Sequence, residues 1–156
     1  MKNDDMVLQV DEGTLFVRVA EIIENRKGRA MAYANQEATL MYWEIGCYIN
    51  STVLSNERAA YGKQIVVKLA QELQVKYGSS FEYSNLTRMI KFASRFPDVE
   101  IIVPRAQQLS WSHFIALLPL QSDEAFMYYA NDAMQRKLSK RELLGRFRAR
   151  RSSEEK

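Results

Sequence analysis

The stretch that decides the fold is residues 31–53, which read MAYANQEATLMYWEIGCYINSTV. Its apolar side chains, among them Leu40, Trp43, Ile45 and Ile49, have the spacing of a broad helical face. A face of this width is satisfied only when other elements cover it. We therefore predict that this segment is the core helix of the protein.

Three positions define the predicted core helix and the helix before it. Gly46 costs about 1 kcal/mol relative to Ala inside a helix, so we expect it either to let another helix approach closely or to kink the core helix. Upstream, Thr14 can cap a helix with one apolar stripe. Gly28 is expected to kink or end that helix before the core helix starts.

Two more helices are predicted downstream. One starts near Tyr61 and is stopped by Gly78. The other starts at Ser84, a good N-cap residue, and is closed by Pro97. The β-branched segment 99–103 lies between two prolines and could be a brief strand or a buried connection.

The last third of the chain is also predicted to be helical. Short helices are expected at 105–109 and 111–118, and a longer one begins at Ser122. Ser139 and Glu142 have the S-x-x-E spacing of a capping box, which opens the final helix.

These elements predict an all-α fold. Six Gly and three Pro in 156 residues are too few for the turns of a sandwich or barrel, and the length is that of one domain. We expect a flexible arm over 1–13, one compact domain over 14–151 and a disordered tail over 152–156. Within the domain we expect a helix-turn-helix or winged-helix-like unit, with at most a very short β segment near 99–103.

Charge is distributed unevenly along the chain. The net charge is only +3. Residues 136–151 carry eight cationic side chains and one acidic side chain, a net charge of +7. The first 25 residues carry two cationic and six acidic side chains, a net charge of −4. A basic segment of this kind is typical of contact with an anionic partner, although it is equally typical of a solvated linker.

Cysteine content and hydropathy indicate where the protein resides. A single cysteine excludes an internal disulfide framework. No apolar run approaches the ~18 residues that a membrane span needs, and the acidic start lacks the basic region of a secretory signal. We expect a cytoplasmic protein with no membrane partner.

The sequence offers no catalytic constellation. His113 is the only histidine, which excludes a Ser-His-Asp triad and a histidine pair for a metal, so we predict a packed ring. Cys47 lies on the apolar face of the core helix, where a thiol behaves as a small hydrophobic group. There is no glycine-rich phosphate loop. We predict no catalytic residue, no cofactor and no metal site.

One apparent nuclease motif is rejected. Asp98 after Pro97, with Glu154 and Lys156 far downstream, spells PD…ExK. That motif needs its carboxylates on adjacent strands around a divalent ion, and no strand pattern surrounds the polar C-terminus. We therefore expect no magnesium-dependent cleavage.

The helix that begins at Ser84 carries a polar, cationic stripe. Asn85, Arg88, Lys91 and Arg95 recur at helical spacing, nearly opposite the apolar side chains of the same helix. A recognition helix uses such a face, with its first residues at base edges and later cations at phosphates. An ordinary solvated helix face has the same pattern, so spacing alone leaves both interpretations open.

Several ordered motifs resemble the N-terminal domain of the YhcG family. The most specific are YWEIG at residues 42–46, SNL at 84–86 and LSWSH at 109–113, and the likeness covers roughly residues 14–151. In this bacterial family, a helical domain thought to target DNA precedes a PD-(D/E)XK nuclease domain. This chain ends at Lys156, where the nuclease would begin, so we expect either an excised domain or a short relative, and in both cases no enzyme.

The resemblance implies a DNA-facing set of residues. On the SNL helix they are Ser84, Asn85, Arg88, Lys91 and Arg95, and the basic last helix adds Arg146, Arg148 and Arg150. The family's Trp43, Gly46, Trp111 and His113 lie on apolar faces and are expected to pack.

Two hypotheses of function follow from the sequence. The first is a non-catalytic DNA-binding and targeting module of a YhcG-type nuclease, whose partners are DNA and, in a full-length relative, a C-terminal nuclease domain. The second is a protein-interaction or homodimerisation module that positions a nuclease domain or another partner. Tyr, Trp and Arg are enriched at both kinds of surface, so composition does not separate them.

Overall fold

The structure is a computed structural model that describes residues 11–53 and 59–154, with side chains for 11–53 and 61–150. These residues contain two 3₁₀ turns, Ser79–Phe81 and Val99–Ile101, and no β-strand. The all-α prediction is confirmed. The α-helices are α1 (Glu12–Thr52), α2 (Ala59–Tyr77), α3 (Tyr83–Arg95), α4 (Val103–Ala106), α5 (Trp111–Leu117), α6 (Asp123–Arg136) and α7 (Lys140–Glu154).

Helix α1 is one uninterrupted helix of 41 residues, so the expected cap at Thr14 and the expected end at Gly28 were both wrong. Its cap is Asp11, whose carboxylate accepts hydrogen bonds from the Gly13 amide at 3.1 Å and from the Thr14 hydroxyl at 2.9 Å. The helix also continues through Gly28. A Cβ at Gly28 would meet no atom within 4 Å, and a penalty of about 1 kcal/mol does not end a helix of this length.

The C-terminal part of α1 crosses α3 at close range. A Cβ added to Gly46 would lie only 2.1 Å from the backbone oxygen of Met89. The Trp43 indole donates a hydrogen bond to the Phe96 carbonyl at 2.7 Å, and the Asn50 amide donates to the Ile90 carbonyl at 3.2 Å. Of the two roles expected for Gly46, the structure shows the close approach. We call residues 36–52 the inner half of α1.

Residues 12–31, the outer half of α1, have a different environment. Every residue in this range is exposed except Ala20, which is half-buried. Its apolar side chains Leu15, Val19 and Ile22 are each about half exposed. The helix is therefore only partly a core helix.

Helix α3 contributes to both hydrophobic clusters of the domain. Leu86 and Met89 pack with α2 and the inner half of α1 around Ile49. Phe92 and Phe96 belong to the second cluster, which the C-terminal helices complete with Ile102, Leu109, Phe114, Leu117, Phe126 and Leu143. One face of α3 is thus buried along its whole length.

The segment expected as a brief strand or connection is helical. Val99–Ile101 forms a 3₁₀ turn, because the Asp98 carboxylate accepts the Glu100 amide at 3.0 Å and caps it. Helix α4 follows with Pro104 in its first turn, where proline costs no hydrogen bond. The predicted Ser139–Glu142 capping box is confirmed, with reciprocal hydrogen bonds of 3.2 and 3.3 Å.

The predicted helix-turn-helix unit has the expected element order. Gly78, with φ of 97°, ends α2, and the 3₁₀ turn Ser79–Phe81 leads into α3. Helix α3 packs more extensively on α1 than on α2. The described residues supply no strand for a wing, so the unit stays a prediction.

Both ends of the chain bear on the expected domain limits. Helix α1 begins at Glu12, inside the expected arm over 1–13, and α7 continues to Glu154, inside the expected tail over 152–156. Residues 1–10 and 155–156 lie outside the described residues.

Candidate nucleic-acid interface

Helix α3 has two chemically different faces. Leu86, Met89, Phe92 and Ala93 form the buried face, each at most 3 % exposed. On the other side of the helix lie Ser84 and Lys91, both exposed, and Arg88, which is half-buried. Within the described side chains, neither Arg88 nor Lys91 makes an ion pair or a hydrogen bond. Two cationic groups, less than one turn apart, therefore remain available on a rigidly held helix.

Asn85 lies between these faces and is committed to the fold. Its side-chain oxygen accepts the Trp111 indole N–H at 2.9 Å, and its Nδ2 donates to the Ser80 carbonyl at 2.6 Å. These bonds tie the start of α3 to α5 and to the preceding 3₁₀ turn. The structure does not bring Asn85 onto the exposed stripe with Arg88 and Lys91.

Arg95 is also engaged within the domain. Its Nε donates to the Asp123 carboxylate at 2.8 Å, and its Nη1 donates to the Leu118 carbonyl at 3.1 Å. The guanidinium lies 4.9 Å from the Phe126 ring centroid, within the range of a cation–π interaction. With its side chain only 17 % exposed, Arg95 joins the end of α3 to the start of α6.

The three candidate arginines of α7 differ in their surroundings. Arg146 Nε lies 3.9 Å from an oxygen of Asp132, and Arg150 donates to the Tyr129 hydroxyl at 3.3 Å. Arg148 is exposed. Arg146 and Arg150 border a groove of about 690 Å³ between α6 and α7, together with Glu124, Tyr128, Tyr129 and Asp132.

Helix α6 connects the two basic segments. Arg95 of α3 contacts Asp123, its first residue, and Arg150 of α7 contacts Tyr129, about 9 Å further along the helix axis. The structure thus attaches the end of α3 and the end of α7 to the same helix. The eight candidate residues divide into two held within the fold, three on the outer face of α3 and three on α7.

The three most specific sequence motifs meet at one junction. Tyr42 of YWEIG has its ring centroid 4.8 Å from Trp111 of LSWSH and 6.4 Å from Phe81. Trp111 in turn donates to Asn85 of SNL. Residues of the three motifs therefore lie where α1, α3 and α5 pack together. The signal for the role of Asn85 was Trp111 itself, because a half-buried indole N–H needs an acceptor.

Comparison with known proteins identifies the family of the chain. The family model described as DUF1016 N-terminal domain matches residues 18–151. The chain belongs to this family. Because the YhcG family is the DUF1016 family, the resemblance found in the sequence is confirmed, and it indicates a nuclease-associated module. No curated protein and no solved structure is significantly similar to the chain.

His113 and Cys47 of this DUF1016 domain have structural surroundings. His113 is half-buried, and its Nε2 lies 2.7 Å from the Leu138 carbonyl. Since a carbonyl only accepts, Nε2 carries the proton and Nδ1 accepts the Ser110 amide at 3.1 Å. This arrangement caps α5 and attaches it to the segment just before α7, as the packing prediction required. Burial, and then the charge of Glu44, raises the pKa of the Cys47 thiol, which disfavours the reactive thiolate.

The described part of the DUF1016 domain contains neither a metal-binding cluster nor a membrane-spanning helix. Over the described residues, no three His, Cys, Asp or Glu side chains cluster in a way that could hold a metal ion. Over the same part of the chain, no helix combines the length and the apolar character needed to cross a bilayer.

Proposed function

We propose that this DUF1016 domain binds DNA in the cytoplasm and positions a nuclease on it, without cleaving DNA itself. Membership of a nuclease-associated family supports the second part of this proposal. The observation that carries the first part is the outer face of α3, where Arg88 and Lys91 lack protein partners among the described side chains. Phosphate oxygens would supply those partners through charge-assisted hydrogen bonds.

The contacts within the domain suggest two different roles for the polar residues of α3. We propose that Asn85 and Arg95 orient the helix, because each is bonded to another helix. Ser84, Arg88 and Lys91 then contact the backbone of the duplex. Phosphate contacts fix the position of a protein on DNA and carry little sequence information, so we expect weak dependence on base sequence.

The basic helix α7 is proposed as a second contact. Arg148 is exposed, and Arg146 and Arg150 stand at the groove beside Tyr128 and Tyr129. The contact of Arg146 with Asp132 is long, at 3.9 Å, so it can be exchanged for phosphate at modest cost, because a charge-assisted hydrogen bond to phosphate is shorter and stronger.

Fluorescence anisotropy with random duplex DNA tests the proposal. If about six phosphates are contacted, affinity should fall by about 10³ between roughly 50 and 200 mM salt. Replacing Arg88 and Lys91 by Ala should lower the slope of log affinity against log salt by about 2. The matched control replaces Lys63 and Lys68, two exposed cations of α2, by Ala.

Two results would contradict the proposal. Absence of binding by the native chain at about 50 mM salt would remove the DNA-binding function. Equal losses in the Arg88, Lys91 variant and in the Lys63, Lys68 control would remove α3 from the interface and leave only a diffuse charge effect. Cleavage of DNA by the purified chain with magnesium would contradict the non-catalytic role.

The interaction-module hypothesis is favoured by a different surface. Leu15, Phe16, Val19, Ile22 and Ile23 of the outer half of α1 are each 45–74 % exposed. Contiguous apolar surface of this kind marks a site of association rather than of nucleic-acid contact.

A further inference from the structure

The exposed side of α1 carries a continuous stripe along most of the helix. Starting at Leu15, exposed residues follow at steps of four, three and four, a pattern that repeats every eleven residues. Eleven residues in three turns is close to the natural period of an α-helix, so the stripe stays on one side of a nearly straight helix. The stripe consists of Leu15, Val19, Ile22, Arg26, Ala30, Tyr33, Glu37, Met41, Glu44 and Tyr48.

The domain lies on the opposite side of the helix. Trp43, Gly46 and Asn50 of the inner half contact α3, and they alternate with the stripe positions Met41, Glu44 and Tyr48. Every member of the stripe is therefore exposed, although six of the ten are large hydrophobic residues. Packing of the described domain leaves the stripe uncovered.

The order of residues along the stripe makes it complementary to itself. We propose that two copies of the chain pair through the stripe as an antiparallel dimer, with the two-fold axis between Met31 and Ala32. Symmetric dimers place the same surface of both subunits in contact. In this register, a residue of one subunit faces the residue of the other subunit whose sequence number brings the sum to 63. The stripe then pairs Leu15 with Tyr48, Val19 with Glu44, Ile22 with Met41, Arg26 with Glu37 and Ala30 with Tyr33.

Four of the five pairs are complementary in size or charge, and Val19 against Glu44 is the exception. Ala30 faces Tyr33, so a small side chain makes room for a large one at the centre, and Ile22 faces Met41 on either side. Arg26 faces Glu37 twice in the dimer. A parallel pairing would instead place Arg26 against Arg26 and Glu37 against Glu37. Charge therefore favours the antiparallel arrangement, as do the opposed helix dipoles.

An apolar groove on the domain lies beside the end of the stripe, where it can accept the outer half of the second copy. Met41, Glu44 and Tyr48 form one wall of this groove, Leu69 and Leu73 of α2 form part of the other, and its volume is about 650 Å³. In the proposed register the outer half of the second copy brings its Leu15 and Val19 to this wall. The dimer thus covers both the exposed outer half and the groove. It forms without any movement of the core.

Sedimentation equilibrium of the purified chain tests the dimer. We expect the native chain to form dimers at micromolar concentration. Replacing Ile22 by Glu should shift it to monomer, because the new carboxylates would lie against Met41 of each second copy. Val17→Glu is the matched control, since Val17 is similarly exposed, at 54 % against 48 % for Ile22, but lies on the other side of the helix. Circular dichroism checks that both variants remain helical.

A charge exchange tests the register. Arg26→Glu alone and Glu37→Arg alone should each weaken the dimer by roughly tenfold, because two attractive pairs become repulsive. Mixing the two variants in equal amounts should restore dimers, since every altered side chain then faces the opposite charge. Residues 26 and 37 are about 16 Å apart along one helix, so an effect within a single chain does not explain such a rescue.

Three outcomes would overturn the proposal. A native chain that stays monomeric at about 100 μM would show that the stripe serves another occupant. A dimer that survives Ile22→Glu, or is lost equally with Val17→Glu, would place the contact elsewhere. A dimer that is not restored in the mixture would exclude the antiparallel register. None of these variants touches Arg88 or Lys91, so the DNA-binding proposal is tested separately.

Discussion

The inner and outer halves of α1 belong to one helix but are stabilised differently. In the inner half, Trp43, Gly46 and Asn50 each contact α3, and Ile49 is buried. In the outer half, the hydrogen bond and ion pair between Arg18 and Glu21, at 3.2 Å, lie within the helix itself. The inner half therefore derives its stability from tertiary packing, whereas the outer half depends on its own turns.

The difference shows that apolar content does not decide burial. Both halves carry apolar residues at helical spacing, including Ile22 in the outer half and Met41 in the inner half. Both side chains lie on the outward stripe, whereas the domain packs on the side of Gly46. A helix buries the face that its neighbours approach, and in α1 the small residue allows that approach.

The largest expected effect comes from a pair of glycine substitutions, one in each half. Gly46→Ala should destabilise the domain by about 3 kcal/mol, because the new Cβ meets the backbone of Met89. Gly28→Ala should stabilise helix α1 locally by about 0.5–1 kcal/mol, since space there is open. Denaturant unfolding followed by tryptophan fluorescence measures the first effect, and the thermal loss of helix by far-ultraviolet circular dichroism measures the second. Equal effects of the two substitutions would erase the distinction between the halves.

A smaller effect is expected when a polar group is removed from the inner half and from Tyr33, which lies between the two halves. Trp43→Phe leaves the Phe96 carbonyl without the indole donor and should cost about 2 kcal/mol. Tyr33→Phe, at a side chain that is 66 % exposed, should change the free energy of unfolding by less than about 0.5 kcal/mol. Thermal unfolding in dilute solution gives the comparison. A cost for Tyr33→Phe as large as that for Trp43→Phe would mean that the exposed stripe around Tyr33 is covered within one chain.

The smallest effect on global stability is expected at the start of α1. Asp11→Ala removes the cap that binds the Gly13 amide, which should cost about 1 kcal/mol of local helix stability. Because the outer half is not coupled to the core, the denaturant midpoint of the domain should hardly move, while far-ultraviolet circular dichroism records some loss of helix. Asp11→Ser retains the cap and serves as the control. A shift of the midpoint by the full 1 kcal/mol would show that the two halves unfold together.

Local signals in the sequence predicted much of the fold. The Ser139–Glu142 capping box and the stop at Gly78 were identified correctly, because each depends on residues within a few positions of one another. Gly28 was misjudged for the opposite reason. Its effect depends on whether the flanking helical turns are stable enough to offset the small helix-propensity penalty of glycine. The residues next to Gly28 in the sequence do not reveal that stability.

The candidate site was harder to predict than the fold. Helical spacing placed Asn85, Arg88, Lys91 and Arg95 on one stripe, and the structure keeps only Arg88 and Lys91 there without partners among the described side chains. Asn85 binds Trp111, 26 residues away, and Arg95 binds Asp123, 28 residues away. Periodicity carries no information about partners at such separations.

The sequence by itself determined the helices, the uneven distribution of charge and the order of residues along each helical face, because all of these depend on neighbours in the chain. Only the tertiary structure decided which face is covered. It placed Gly46 against Met89 and left Ile22 exposed. It also paired Arg95 with a carboxylate, whereas Arg88 has no such partner among the described side chains. The physical reason is that helix geometry sets the angles between side chains on one helix, whereas the packing of several helices decides what each side chain meets.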